Sequence, residues 1–217
     1  VSAPEREPVP TGPVVQENLG RKAPARTYQD LLQDAHDEAL FDFYFSSSIV
    51  AYSLTGELSQ IAEPDIYTGF SVSPDDSWLL VERLERPYSF LVPASRFPQV
   101  TEVHHSTGGL FHTVEERPLA DGIPIAFDAT VEGKRNIEWR SDAPATLAWA
   151  EAADGGDPRI EADVRDRLYL HAAPFRDEPL ELAELGLRYR SVQWGDGGFA
   201  LVSDGWYNTR RLRMWEI

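Results

Sequence analysis

From Ser46 onward, apolar residues come in short runs broken by tight polar corners, the rhythm of strands and turns. Ile49–Leu54 is the first such run, turned by Thr55-Gly56. Phe70 and Val72 then lead into Ser73-Pro74-Asp75-Asp76, and the apolar Trp78–Leu84 follows. Val100–His104, closed by Ser106-Thr107-Gly108-Gly109, and Leu110–Val114 extend the series. The segment before it is different. In TYQDLLQDAHDEALFDFYF (27–45), Leu31, Leu32, Ala35, Ala39, Leu40 and Phe43 recur at three- and four-residue intervals. That spacing predicts a helical insert, one broken helix or two short ones, with Thr27 as its cap and acidic early turns. Residues 1–26 are proline-rich and show no periodic apolar face, so an extended loop or linker is expected there.

The corner after Val72 recurs. IEWRSDAPATLAWAEA (137–152) has an apolar strand ending in an aromatic, a turn with Asp142 and Pro144, then another apolar strand. VQWGDGGFALVSDGW (192–206) repeats the design with Trp194, Asp196-Gly197-Gly198 and Phe199–Ser203. Val72, Trp139 and Trp194 fill one position of this unit, and Asp75, Asp142 and Asp196 another. Arg167–Leu170 and Leu180–Leu182 supply further strands between the corners. An aspartate can bond the backbone of a tight corner while proline and glycine set its dihedrals. A unit of about 40–60 residues with about four short strands is the signature of a β-propeller blade, in which the aromatic fills the wedge between blades. The expectation is therefore an all-β chain, a partial β-propeller of three to four four-stranded antiparallel blades over 46–217. A run of unrelated hairpins in a sandwich is the alternative. Propellers close with typically about 4–8 blades, so the chain reads as an arc of a larger circle, ending inside the strand-like Trp206–Ile217.

Composition narrows the partners. The chain has 217 residues, 42% of them hydrophobic, and a formal net charge of −16. That charge argues against nucleic acid and against anionic membranes as partners. An acidic field favours basic or neutral ligands only where it lines a cavity. With no cysteine there is no disulfide and no cysteine-ligated zinc. No apolar run is long enough to span a membrane and no leader opens the chain, which points to a soluble protein, cytoplasmic or exported to a periplasm or organelle. The chain opens on Val1, so a processed or excised segment is expected.

Four stretches carry a family resemblance: APARTYQDLLQDAHDEALFDFY, RPYSFLVPASRFP, APATLAWAEAADGGDP and WYNTRRLRMW. In this order they resemble the glutamyl-endopeptidase-like branch of the prolyl oligopeptidase family, from about Val9 to Ile217. The resemblance implies a segment from the middle of an N-terminal β-propeller. That propeller covers a C-terminal α/β-hydrolase domain with a Ser-Asp-His triad, and gates the access of peptide substrates to it. The partners so implied are peptides, that hydrolase domain and the remaining blades. The chain lacks the hydrolase domain, so no catalytic residue carries over, and no cofactor or metal is implied. A non-enzymatic propeller serving as an interaction scaffold is the rival reading, and one fragment of a nicked enzyme a third.

Gly69-Phe70-Ser71-Val72-Ser73 approaches a nucleophile elbow but fails at the fifth position, and a strand follows in place of a helix. His104, His105 and His112 could bind a metal only if His104 and His112 converged across a hairpin; solvated strand histidines are the preferred reading. Asp154-Gly155-Gly156-Asp157 resembles a cation loop but lacks the longer ligand series, so a turn is preferred. RPYSFLVPASRFP (86–98) is longer than a hairpin needs. Its Arg86, Tyr88 and Arg96 are the candidate substrate-binding residues, the arginines pairing with an acidic peptide side chain. Structural pairing of these arginines with Glu82, Glu85 or Glu102 is the alternative. The helical insert reads as a lid near a substrate entrance or as a cover for a blade edge. Arg210, Arg211 and Arg213 read as the polar side of a strand.

Overall fold

The computed structural model describes residues 3–5 and 28–217. Among these residues the fold is all-β: thirteen strands in four antiparallel sheets, with one α-helix. The first sheet pairs β1 (Ser47–Tyr52) with β2 (Leu58–Asp65). The second runs in chain order through β3 (Tyr67–Val72), β4 (Trp78–Leu84), β5 (Gln99–His105) and β6 (Leu110–Arg117). The third does the same through β7 (Lys134–Trp139), β8 (Thr146–Ala152), β9 (Asp166–Ala172) and β10 (Leu180–Leu185). The fourth holds β11 (Arg188–Trp194), β12 (Ala200–Trp206) and β13 (Arg211–Glu216). Each sheet is a meander and none closes on itself, which is the architecture of a partial propeller. The four-strand expectation holds for the second and third sheets; the outer two have two and three strands.

The sheets pack face to face in sequence order, and the strand patterns explain it. A strand buried on both faces reads as a continuous apolar run because alternate residues serve different cores. In β4, Leu79 and Val81 join Ile49, Ile61 and Ala62 of the first sheet, while Leu80 turns the other way. It meets Val103, Val114, Trp139, Leu147 and Trp149, which bind the second sheet to the third. From the third sheet Ala150, Leu168 and Leu185 pack on Tyr189 and Val202 of the fourth. Val81, Val103, Leu147, Leu168 and Val202 are fully buried, each worth about 1.5–3 kcal/mol relative to exposure.

The three corners fall at one topological place, between the first two strands of their sheets. Val72, Trp139 and Trp194 each end the first strand. At the first corner Ser73 Oγ and Ser77 N both donate to Asp75 Oδ1, at 2.6 and 3.1 Å. At the second, Asp142 receives Arg140 bidentately, at 2.9 and 2.6 Å. The third differs: Asp196–Gly198 forms a 3-10 turn, and Asp196 stands one residue closer to its aromatic. Adjacent corners also join. Asp75 N donates to Pro144 O at 2.9 Å, and Trp139 Nε1 donates to Ser71 O at 3.2 Å. The wedge-filling role fits the buried Trp139, whereas Val72 is 49% exposed.

The helical insert is shorter than its periodicity indicates. Thr27 lies outside the described residues, and Tyr28–Gln33 are not helical. Helix α1 is Ala35–Phe45, capped by Asp34, whose carboxylate accepts from His36 N and Asp37 N. An aspartate at this position satisfies otherwise unpaired amides, so the chain starts its helix there and leaves Leu31 and Leu32 in the lead-in.

Candidate functional site

The meander sends its connections alternately to two rims. One rim carries the tight corners after β3, β7 and β11. The other carries the long connections 85–98, 118–133 and 153–165, together with the C-terminal end of α1. Long ordered connections on a rigid scaffold are where binding surfaces are built. Here they are cross-braced. Ala120 N donates to Arg96 O at 2.9 Å, and Thr130 N to Gly156 O at 3.0 Å. Tyr207 N donates to Asp128 Oδ2 at 2.7 Å, tying in the turn after β12. Glycine is required at 156, where φ is +75° and a Cβ would run into the Thr130 carbonyl.

Helix α1 is seated on the first of these connections. Phe41 meets Tyr88 and Phe97 edge-on, with ring centroids 5.1 and 5.9 Å apart, and Tyr88 stacks on Phe97 at 5.1 Å. Ile66, Leu84 and Val92 complete this core. Arg86 donates to Asp42 Oδ2 and Glu38 Oε2, both at 2.6 Å, and Tyr88 OH donates to Asp42 Oδ1 at 2.5 Å. The hydrogen bonds that Arg86 donates to Asp42 and Glu38 raise its pKa, and burial together with Asp42 raises that of Tyr88. Arg96 lies 5.9 Å from the Tyr28 ring and forms no ion pair among the described residues. Arg86 and Tyr88 thus converge on Asp42 of one helix, Arg86 also reaching Glu38 one turn earlier, and Arg96 stands separately. The acids Glu85 and Glu102 go to Arg83 instead, at 2.7 and 3.0 Å. The partners of Arg86 come from the helical insert, 48 and 44 residues upstream.

The histidines do not converge as a metal site. Val103 pairs with His112 and His104 with Leu110, so His104 and His112 face opposite sides of the second sheet. His104 is buried, with Nε2 3.0 Å from Glu102 Oε2. The bonds to His104 and Arg83 outweigh burial and hold Glu102 at about 2. His112 faces the third sheet beside His171 and Phe175, at 5.8 and 5.4 Å between rings. Burial, with His171 and Lys134 nearby, lowers its pKa. His105 stacks on Trp78 at 4.6 Å. Among the described residues no group of three or more His, Asp or Glu could hold a metal.

At 154–157 the chain is a turn. Asp154 is fully buried and spoken for. Arg188 reaches its two oxygens at 3.0 and 2.8 Å, Arg165 Nη1 is 2.9 Å away and Gly156 N donates at 3.1 Å. Burial pushes this carboxyl up, but the two guanidinium groups prevail and its pKa is lowered. Arg188 continues the network to Asp166 Oδ1 at 2.6 Å, and Asp166 also pairs with Arg135. Nothing in the periodicity singled out Asp166 or Arg188, since a polar residue on a strand normally reads as solvent-facing. Ser71, in the Gly69–Ser73 stretch, sits inside β3 and leads through the corner into β4. Of the C-terminal arginines, Arg213 pairs with Asp204 and Arg210 stacks on Tyr207 at 3.8 Å.

Sheets stacked in chain order as an incomplete propeller, one rim carrying braced connections, define a partial-propeller segment. Comparison with known proteins gives this class a particular setting. The chain is 42% identical over 217 residues to the rice (Oryza sativa subsp. japonica) protein named "Probable glutamyl endopeptidase, chloroplastic". It is 44% identical, again over 217 residues, to the Arabidopsis thaliana protein of the same name. Each match covers 99% of this chain, but only 23% and 22% of those relatives. The resemblance read from the four sequence stretches is borne out: the chain is homologous to a segment of proteins named as glutamyl endopeptidases. No protein-family model matches the chain, and no solved structure matches it significantly. No helix among the described residues is long and apolar enough to cross a membrane.

Proposed function

We propose that this chain is the propeller segment of a serine peptidase of the prolyl oligopeptidase family, restricting peptide access to an α/β-hydrolase domain outside it. The observation that carries this reading is the match of the whole chain to less than a quarter of two relatives named as endopeptidases. Their remaining length has ample room for a catalytic domain. The braced rim supports the gating role, because a barrier must hold its shape to exclude substrates by size. In this reading α1 and the 85–98 connection stand at the rim as one rigid body, fixed by Phe41 and the Arg86–Asp42–Tyr88 contacts. The work of the chain is exclusion and docking, and bond cleavage belongs to the other domain.

The gene sequence beyond Ile217 tests the reading. A Gly-x-Ser-x-Gly followed by Asp and then His supports it; further blades alone support a scaffold instead. Biochemically, the purified 217-residue chain should neither hydrolyse glutamate-containing peptides nor be labelled by a serine-directed phosphonate. Turnover blocked by that reagent would place the chemistry inside this chain and overturn the division of labour.

A further inference from the structure

The end of β6 and the connection that follows it enclose a cavity of about 450 Å³ on the long-connection rim. Pro118, Leu119, Ile123 and Val131 give it an apolar wall, while Glu115 and Arg117 supply charge. The buried and partly buried arginines Arg83, Arg135, Arg140, Arg165 and Arg188 each face a carboxylate. Arg117 forms no ion pair among the described residues. Its Nη2 donates to Ser95 O at 3.3 Å, and its Nε is buried without an acceptor. Burial pushes its pKa down, only partly opposed by the more distant Glu82 and Glu115.

Burying a cation without its counter-charge costs stability. A residue that costs stability without a structural return marks a site where an absent group completes the arrangement. The other charges of the cavity do not supply that group. The Glu115 carboxylate lies 3.9 Å from Lys134 Nζ, and Asp121 and Glu132 are exposed. What the site lacks is a planar, two-oxygen acceptor, which a guanidinium binds through paired N–H donors. We propose that this cavity binds a peptide carboxylate, with Arg117 as its counter-ion and the Pro118–Leu119–Ile123 wall taking the neighbouring apolar side chain. The carboxylate is that of a chain terminus or of an acidic side chain; both present the same chemistry. The proposal stands whether or not the chain serves a peptidase.

Isothermal titration of the 217-residue protein tests it with four probes: acetyl-Leu-Leu as free acid and as amide, and acetyl-Leu-Glu-Leu-amide beside its glutamine analogue. At least one acid probe should bind at least tenfold more tightly than its neutral twin, and which one does so identifies the source of the carboxylate. Arg117→Gln should remove that preference while leaving the melting temperature unchanged or higher, because an unpaired, partly buried charge has gone. Val131→Phe, which fills the cavity and keeps the arginine, should lose binding as well. Equal binding of acid and neutral probes, no binding by any probe, or undiminished preference in either variant overturns the proposal. So does a melting temperature lowered by Arg117→Gln, since that outcome makes Arg117 a structural residue.

Discussion

Arg188→Met offers a direct measure of what holds the third and fourth sheets together. The Arg188 side chain is 3% exposed, and each of its five N–H donors has an acceptor. Nε donates to Asp128 O at 3.0 Å; Nη1 to Arg165 O at 3.0 Å and Asp166 Oδ1 at 2.6 Å. Nη2 takes both oxygens of Asp154, at 3.0 and 2.8 Å. Methionine fills most of the volume but leaves two buried carboxylates with one arginine each, and two partly buried carbonyls short of a donor. Breaking a buried pair from one side costs about 3–5 kcal/mol. Against a total stability of about 5–15 kcal/mol, that is a large share. Urea unfolding followed by tryptophan fluorescence should show the midpoint collapsing, with Trp206 reporting locally because Arg165 lies 4.6 Å over its ring. Arg167→Ala is the control: its partner Glu184, 3.0 Å away, is exposed, and the midpoint should not move. If Arg188→Met stays within about 1 kcal/mol of the parent, or the control is equally damaging, the network is not the clamp described here.

Acidification should reveal Glu102 as a stabilising group. Its folded pKa of about 2 lies below the ordinary 4.5, so its contribution is fully present above pH 4.5 and is lost as the pH falls towards 2. The shift corresponds to roughly 3 kcal/mol, and Glu102→Gln should flatten the acid limb of stability against pH; an unchanged limb refutes the assignment. Gly156→Ala should cost about 1–3 kcal/mol through backbone strain and the Thr130 carbonyl clash, read as a lower denaturation midpoint; a neutral result means the two connections give way easily. Phe41→Ala should free α1 from Tyr88 and Phe97, so that limited proteolysis cuts near residues 30–46 while the sheets stay intact by circular dichroism. Loss of the sheets instead would make the helix a core element.

Much of the succession of strands and corners was legible because strands here are bounded by chemistry that has few alternatives. Ser73-Pro74-Asp75-Asp76 bends as its residues require, and the apolar runs Leu79–Val81 and Leu147–Ala150 are continuous because each serves two cores. The periodicity carries the helix back through Leu31 and Leu32, whereas in the structure Asp34 caps it and the helix begins at Ala35. The pattern makes the third corner equivalent to the other two, but there Asp196 is itself part of a 3-10 turn with the two glycines, with no side-chain cap bond. The partners of Arg86 were hidden because local sequence offers three nearer glutamates, and only the docking of Phe41 brings Glu38 and Asp42 within reach. Arg117 and the Asp154–Arg188–Asp166 network were invisible for a related reason. A charged residue on a strand gives no sign of whether it meets water, a partner from another sheet, or nothing.

The ties between Arg96 and Ala120, Thr130 and Gly156, and Asp128 and Tyr207 link neighbouring connections end to end. Such a chain of links behaves like a hoop under tension: no segment can swing outward without pulling its neighbours. Any movement of this rim must therefore come from whole sheets pivoting about the apolar seams between them, so its shape is set by side-chain volume at those seams.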